Sequence, residues 1–323
     1  MMNVLRALAI VTLAAAVPVP ATAQTDVTER FSKTAHLDQN GTFDLSNISG
    51  TIVITGGSGR DVTIEAIKRV QRPNPNAARA LLQMIDIQVV EQANRVEVRT
   101  TYPRPRNFPG SVDFTVSVPE DANVTIKTLS GNVRATNIRG ELRAEAVSGN
   151  VAAAAAGRLE ALKCVSGDIE IIDASADDLA TASTVSGNIT VRGLKARAIQ
   201  LGSVSGNIRV DDAQADRMEV RAVNGNIDYG GDLERNGRYQ FTSHSGDIRL
   251  VLSGTTGFEL RANSFSGAVR SDFAINRRGA GGGEGQAIQG PRAIRGSVGD
   301  ASAMLAVRAF SGNVSIVKRD AAR

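Results

Sequence analysis

The side chains equipped for chemistry are few and scattered. Two histidines, His36 and His244, and one cysteine, Cys164, occur among 323 residues, with no tryptophan. A His/Cys zinc site draws on several such ligands at fixed spacing, so this inventory all but excludes one. A lone cysteine excludes a disulfide framework within the chain, and in an oxidising compartment it is expected to be buried. Calcium takes about six to eight oxygens, several from carboxylates. Asp168 and Asp247 occupy a recurring slot otherwise filled mostly by Asn, and they lie four repeats apart. A glycosidase pair needs carboxylates about 5–9.5 Å apart. The outward acids Glu170 and Asp228 are three repeats apart, roughly 14 Å at about 4.8 Å per repeat. Asp211, Asp212 and Asp216 crowd one turn and read as solvated acids. His36 lies outside the repeats, and His244 fills a slot held elsewhere by Val, which points to packing. No catalytic residue, metal ligand or cofactor is expected.

The remaining inventory closes further classes. Aromatics make up 4 %, too few to build stacking platforms for sugars or single-stranded nucleic acid. A net charge of +4 is mild and dispersed, so no nucleic-acid partner is expected. The segment 277–300 is rich in Gly and Arg. A phosphate-cradling loop would lead into a helix with Lys-Ser/Thr, and neither follows, so it reads as a flexible loop.

What must position any site is a repeat. A Ser-Gly-Asn/Asp triplet recurs as Ser130-Gly131-Asn132, Ser148-Gly149-Asn150, Ser166-Gly167-Asp168, Ser186-Gly187-Asn188 and Ser205-Gly206-Asn207. It continues as Asn224-Gly225-Asn226, Ser245-Gly246-Asp247, Ser266-Gly267 and Ser311-Gly312-Asn313. Successive glycines are 18 to 21 residues apart, except for a final step of 45. Gly50 looks like an earlier isolated copy. Two residues after each triplet glycine comes a β-branched residue, from Val133 through Ile189 to Val314. Polar residues alternate with this column, the pattern of a strand with one buried face. A second strand precedes each triplet, with small residues such as Cys164, Thr184 and Ser203 three positions before the glycine.

Two positions before the glycine stands Leu129, Val147, Val165, Val185, Val204, Val223, His244, Phe265 or Phe310. This apolar column is out of step with strict alternation, so a bend or bulge is expected there, with the side chains packed. On that reading Val185→Asp would unfold the neighbouring coils. The outward column after the turn carries Arg134, Arg209, Arg249 and Arg270, a candidate binding face for an acidic polymer. The triplet itself reads as a structural turn ladder, with glycine supplying the backbone freedom.

A unit of about 20 residues cannot close its own core, but stacked units bury a continuous one. The expected fold is all-β: a single-stranded, right-handed parallel β-solenoid of nine or ten short coils, each of about 18–21 residues. Residues 24–125 form its irregular β-rich N-terminal start and cap, with one short helix over Ala77–Met84. Residues 126–318 carry the repeats, and 319–323 form a basic tail. Residues 1–23 read as a secretory signal, with Arg6, an apolar run from Ala7 to Val17, and Ala21-Thr22-Ala23 before the cleavage point. That run is shorter than the roughly 20 residues a membrane span requires, so the processed chain is not expected to cross a membrane. The expected address is exported: periplasmic, outer-surface or secreted.

An export signal, the start Leu45-Ser46-Asn47-Ile48-Ser49-Gly50-Thr51-Ile52 and the Val-Ser-Gly-Asn-Ile steps together resemble the bacterial "putative adhesin" family of DUF4097 type. The closing Val307-Arg308-Ala309-Phe310-Ser311-Gly312-Asn313-Val314 is similar to that family's terminal coil. The resemblance implies a β-solenoid with a cell-envelope role and brings no catalytic residues. The expected function is therefore a non-enzymatic binding or structural module of the envelope. Its expected partner is an envelope protein or an acidic glycan. The alternatives are a polysaccharide-active β-helix enzyme and a periplasmic partner in envelope-stress signalling.

Overall fold

The computed structural model describes residues 25–102, 108–276 and 292–319. The expected signal segment, most of the Gly-rich loop and the end of the basic tail fall outside these. The described chain is all-β apart from one helix, Pro75–Leu82. That helix starts two residues earlier than the sequence suggests. Asn74 caps it by accepting from the N–H of Asn76 (2.9 Å) and Ala77 (3.4 Å), and Pro75 fits the first turn, where no N–H is needed.

Each repeat contributes one strand before the turn and one after it, and like strands of neighbouring coils pair in parallel and in register. Ala182 lies beside Leu201, and Leu201 beside Val220. After the turn, Ile189 lies beside Ile208, and Ile208 beside Ile227. The buried column two residues after the glycine is 0–2 % exposed from Ile52 to Val314. Each such Val or Ile contributes about 1.5–3 kcal/mol. The second corner is looser. There Asn137, Ala155, Asp173 and Asp212 adopt left-handed backbone angles, with φ of 49° to 58°. The residues that follow, Ile138, Ala156, Ala174 and Ala213, are buried against the core.

The glycine column fixes the order of stacking. A methyl group on Gly131 would overlap the carbonyl oxygen of Gly50, and one on Gly187 that of Gly167. The same contact repeats through Gly50, Gly131, Gly149, Gly167, Gly187, Gly206, Gly225, Gly246, Gly312 and Gly267, which marks ten coils. Arg95–Thr101 with Gly110–Pro119 adds an eleventh parallel layer without this glycine, its Val112 facing Gly50. Glycine is therefore demanded by close approach of backbones, in addition to the positive φ at eight of these ten positions.

Chain order and stacking order diverge at both ends. The last coil, Ala303–Ser311 with Val314–Lys318, lies between two earlier ones. It pairs with Arg238–Ser245 and Ile248–Leu252 on one side and with Phe258–Ser264 and Val269–Ser271 on the other. At the other end, Thr42–Ser49 pairs with both Asn123–Ser130 and Arg95–Thr101. The isolated Gly50 copy is thus a full coil of the stack. The edges are closed by antiparallel strands, which limits open strand pairing. Thr25–His36 lies on Asp61–Arg72, Asp86–Gln92 on Arg95–Thr101, and Ala293–Val298 on Phe258–Ser264.

Candidate functional site: the turn ladder and the faces beside it

The triplets build a hydrogen-bonded spine along one corner. The side-chain oxygen of each Asn or Asp accepts from the backbone N–H of its counterpart one coil on. Asn132 takes that of Asn150, Asn150 that of Asp168, and Asp168 that of Asn188, at 2.7–2.9 Å. The series runs on through Asn188, Asn207, Asn226, Asp247 and Asn313 to the N–H of Ala268. Asp168 and Asp247 thus do the same work as Asn and stay four coils apart. Among the described residues no group of three or more His, Cys, Asp or Glu is placed to hold a metal.

The small column three residues before the glycine serves the same spine. Thr184 Oγ1 and Ser203 Oγ donate to the carbonyls of Gly167 and Gly187, each at 3.1 Å. Cys164 is buried, as expected, and its Sγ donates to Gly149 at 3.1 Å. Burial pushes its thiol pKa up, so it stays an unreactive donor. Tyr229 and Tyr239 are likewise buried and protonated. Burial raises the Tyr239 phenol to about 12, and its hydroxyl donates to Ala215 at 2.8 Å.

The apolar column two residues before each glycine corrects the sequence reading. It is neither packed nor bulged. The strand keeps its alternation, and the column points outward. Val147, Val165 and Val185 are each 46 % exposed, Leu129 54 %, Phe310 49 % and Phe265 66 %. With Ile48 it forms a stripe of ten rungs, about 43 Å long at roughly 4.8 Å per rung. His244 takes its rung and is exposed. Its ring stacks on Phe310 at 4.7 Å, and Phe310 stacks on Phe265 at 4.9 Å. The expected packing of His244 thus occurs outside the core, against another exposed ring.

The candidate face of Arg134, Arg209, Arg249 and Arg270 forms one outward column, but no two of the four adjoin. Asp228 stands between Arg209 and Arg249, and Ser315 between Arg249 and Arg270. Arg209 is also held by Asp211 at 2.8 Å. Glu170 is paired with Arg192 at 3.3 Å. His36 lies exposed between Asp61 (3.1 Å) and Asp38 (3.4 Å), and its hydrogen bond to Asp61 raises its pKa.

Two features were missed from sequence. Glu141 and Glu160 meet across adjoining coils beside Arg143. Their mutual hydrogen bond pushes the Glu141 pKa up and the Glu160 pKa down. The second is a broad depression of about 1120 Å³ on the outer face near the C-terminal end, edged by Arg217, Arg238, Arg261, Arg295 and Arg308. Arg295 sits on an antiparallel return strand outside the repeat, so no repeat column could reveal it.

No curated protein matches the chain. Solved structures that resemble it include a "putative adhesin" from Parabacteroides distasonis, 12 % identical, with a TM-score of 0.48, covering 90 % of this chain and 97 % of that one. Another is a "putative adhesin" from Bacteroides fragilis, 13 % identical, with a TM-score of 0.43 and the same coverage. A third is a "putative lipid binding protein" from Parabacteroides distasonis, 11 % identical, with a TM-score of 0.45, covering 89 % and 97 %. The family model described as Toastrack DUF4097 matches residues 51–317, nearly the whole described stack, and the chain belongs to that family.

Proposed function

We propose that the chain is a non-enzymatic, exported β-solenoid that acts as a binding and structural module of the bacterial cell envelope. The observation that carries this reading is the apolar stripe from Ile48 to Phe265. Scattered surface apolar residues are ordinary, but a contiguous exposed row marks a surface that a partner covers. The stripe is continuous because the glycine and Asn/Asp columns beside it hold every rung in register. The partner is an envelope protein or an acidic glycan. The leader-like segment 1–23 supports export, and no helix among the described residues is long and apolar enough to cross a membrane. The parallel stack is taken as single-stranded and right-handed, the hand favoured by parallel crossovers. The absence of catalysis is inferred from acids that are mostly dispersed along the stack or engaged by arginines, the close pair Glu141 and Glu160 being tied to Arg143 through Glu160.

Co-sedimentation with native envelopes tests this reading. The processed protein should pellet with envelopes, and the triple variant V147D/V185D/V223D, with its charges on alternate rungs, should remain in the supernatant while melting like the parent. Equal recovery of both in the supernatant would overturn the envelope role. Equal pelleting of both would remove the stripe as its carrier.

A further inference from the structure

The arginine-edged depression has the make-up of a ligand site. Its charged lining residues are five arginines, Arg217, Arg238, Arg261, Arg295 and Arg308, against two glutamates, Glu219 and Glu259. The register sets like charges side by side. Arg217 adjoins Arg238 on neighbouring parallel strands, and Arg261 lies directly opposite Arg295 on an antiparallel pair. Such juxtapositions destabilise a bare sheet and are relieved by an anion between them. Arg261 is engaged by Glu259 at 2.8 Å. Among the described residues, Arg217, Arg238, Arg295 and Arg308 have no carboxylate within ion-pair distance. Ala306 lies between Gln240 and Arg261 across the strands and lines the depression with a small side chain.

The cations are all arginine, whose planar fork takes carboxylates two-pronged. Glu219, Gln240, Asn263 and Ser297 add hydrogen-bond acceptors to the same surface. The Glu219 carboxylate repels a plain polyanion but receives hydroxyl donors, while the two amides and the Ser297 hydroxyl can both accept from hydroxyls and donate to them. A ligand with both carboxylates and hydroxyls satisfies both sets. We propose that this depression binds an acidic oligosaccharide, a chain of uronate-type sugars. Tyr239 lies buried beneath the floor, so the sugar is held by its charges and hydroxyls and not by ring stacking. This inference uses residues distinct from the apolar stripe and does not depend on envelope attachment.

Calorimetric titration of the processed full chain with an oligogalacturonate tests it. Saturable binding is expected, weakening as salt rises. R238A/R295A should weaken it at least about ten-fold, as befits the loss of charge-assisted pairs. Both arginines are exposed, so the variant should keep the parent's melting profile. R134A/R249A, on the column beyond the turn, should bind as the parent does. No saturable binding, or equal binding by R238A/R295A, would overturn the proposal. So would equally tight binding of polyphosphate of matched charge, which would reveal an unselective cationic face. Failure of envelope sedimentation leaves this titration unaffected, so the two readings fail separately.

Discussion

Two apolar columns flank the same turn, two residues before and two residues after the glycine. The first is mostly Val and other apolar residues, the second is entirely Val and Ile, and both repeat at every coil. Val185 is 46 % exposed, whereas Ile189, four residues later, is fully buried. Side-chain type cannot explain the difference, but strand phase can. Before the turn, Ala182 and Thr184 face inward, so Val185 must face outward. After the turn the phase resets, and Ile189 and Val191 face inward. An outward position filled with Val at rung after rung is therefore not accounted for by the core, while an inward one is.

The comparison can be broken or sharpened by substitution. The largest effect is expected for I189D, which buries an unpaired charge and should cost about 4 kcal/mol or more. Chemical denaturation should find little folded protein. G187A forces a methyl group onto the Gly167 carbonyl and should cost about 3 kcal/mol. A loss below about 1 kcal/mol would mean that the backbones can part. A155G removes a β-carbon from a left-handed position (φ 51°) and should stabilise by about 1 kcal/mol in the same assay. V185D should change stability by no more than about 0.5 kcal/mol, as surface substitutions do. A melt as damaged as that of I189D would show that the two columns are equivalent after all.

The smallest effect concerns pH. The raised pKa of Glu141 favours its protonated form in the fold, so its contribution is present at low pH and lost as pH rises through that raised value. The lowered pKa of Glu160 acts in the opposite sense, its contribution being lost as pH falls. E141Q should abolish the first loss and keep the second. Melting curves between about pH 2 and pH 8 resolve the two.

Much of this fold was legible because the repeat writes its geometry in columns. The inward Val/Ile positions, the glycine corner and the small residues at Cys164, Thr184 and Ser203 all behave as their spacing suggests. The stripe was not legible because an apolar Val185 next to the turn looks like a core residue, although strand alternation points it outward. The stacking order was hidden because one Ser-Gly copy can pair with any other, so the 45-residue step before Gly312 does not reveal where that coil inserts. The Thr25–His36 strand lacked a repeat signature, since it pairs antiparallel at the edge. The arginine depression was invisible because Arg217, Arg238, Arg261, Arg295 and Arg308 come from five strands, one of them outside the repeat.

The wedged position of the coil at Gly312 has a bearing on synthesis and on growth of the family. The coil at Gly267 leaves the ribosome first, yet its neighbour in the stack is made 45 residues later. It must wait, unpaired on that side, until Ala303–Lys318 arrives and is shared between two partners. Lengthening by duplication is constrained in the same way. Extra turns can enter among the sequentially stacked glycines from Gly131 to Gly246, where each new coil finds identical neighbours above and below. A duplication past Gly246 would have to thread between strands that already belong to one another.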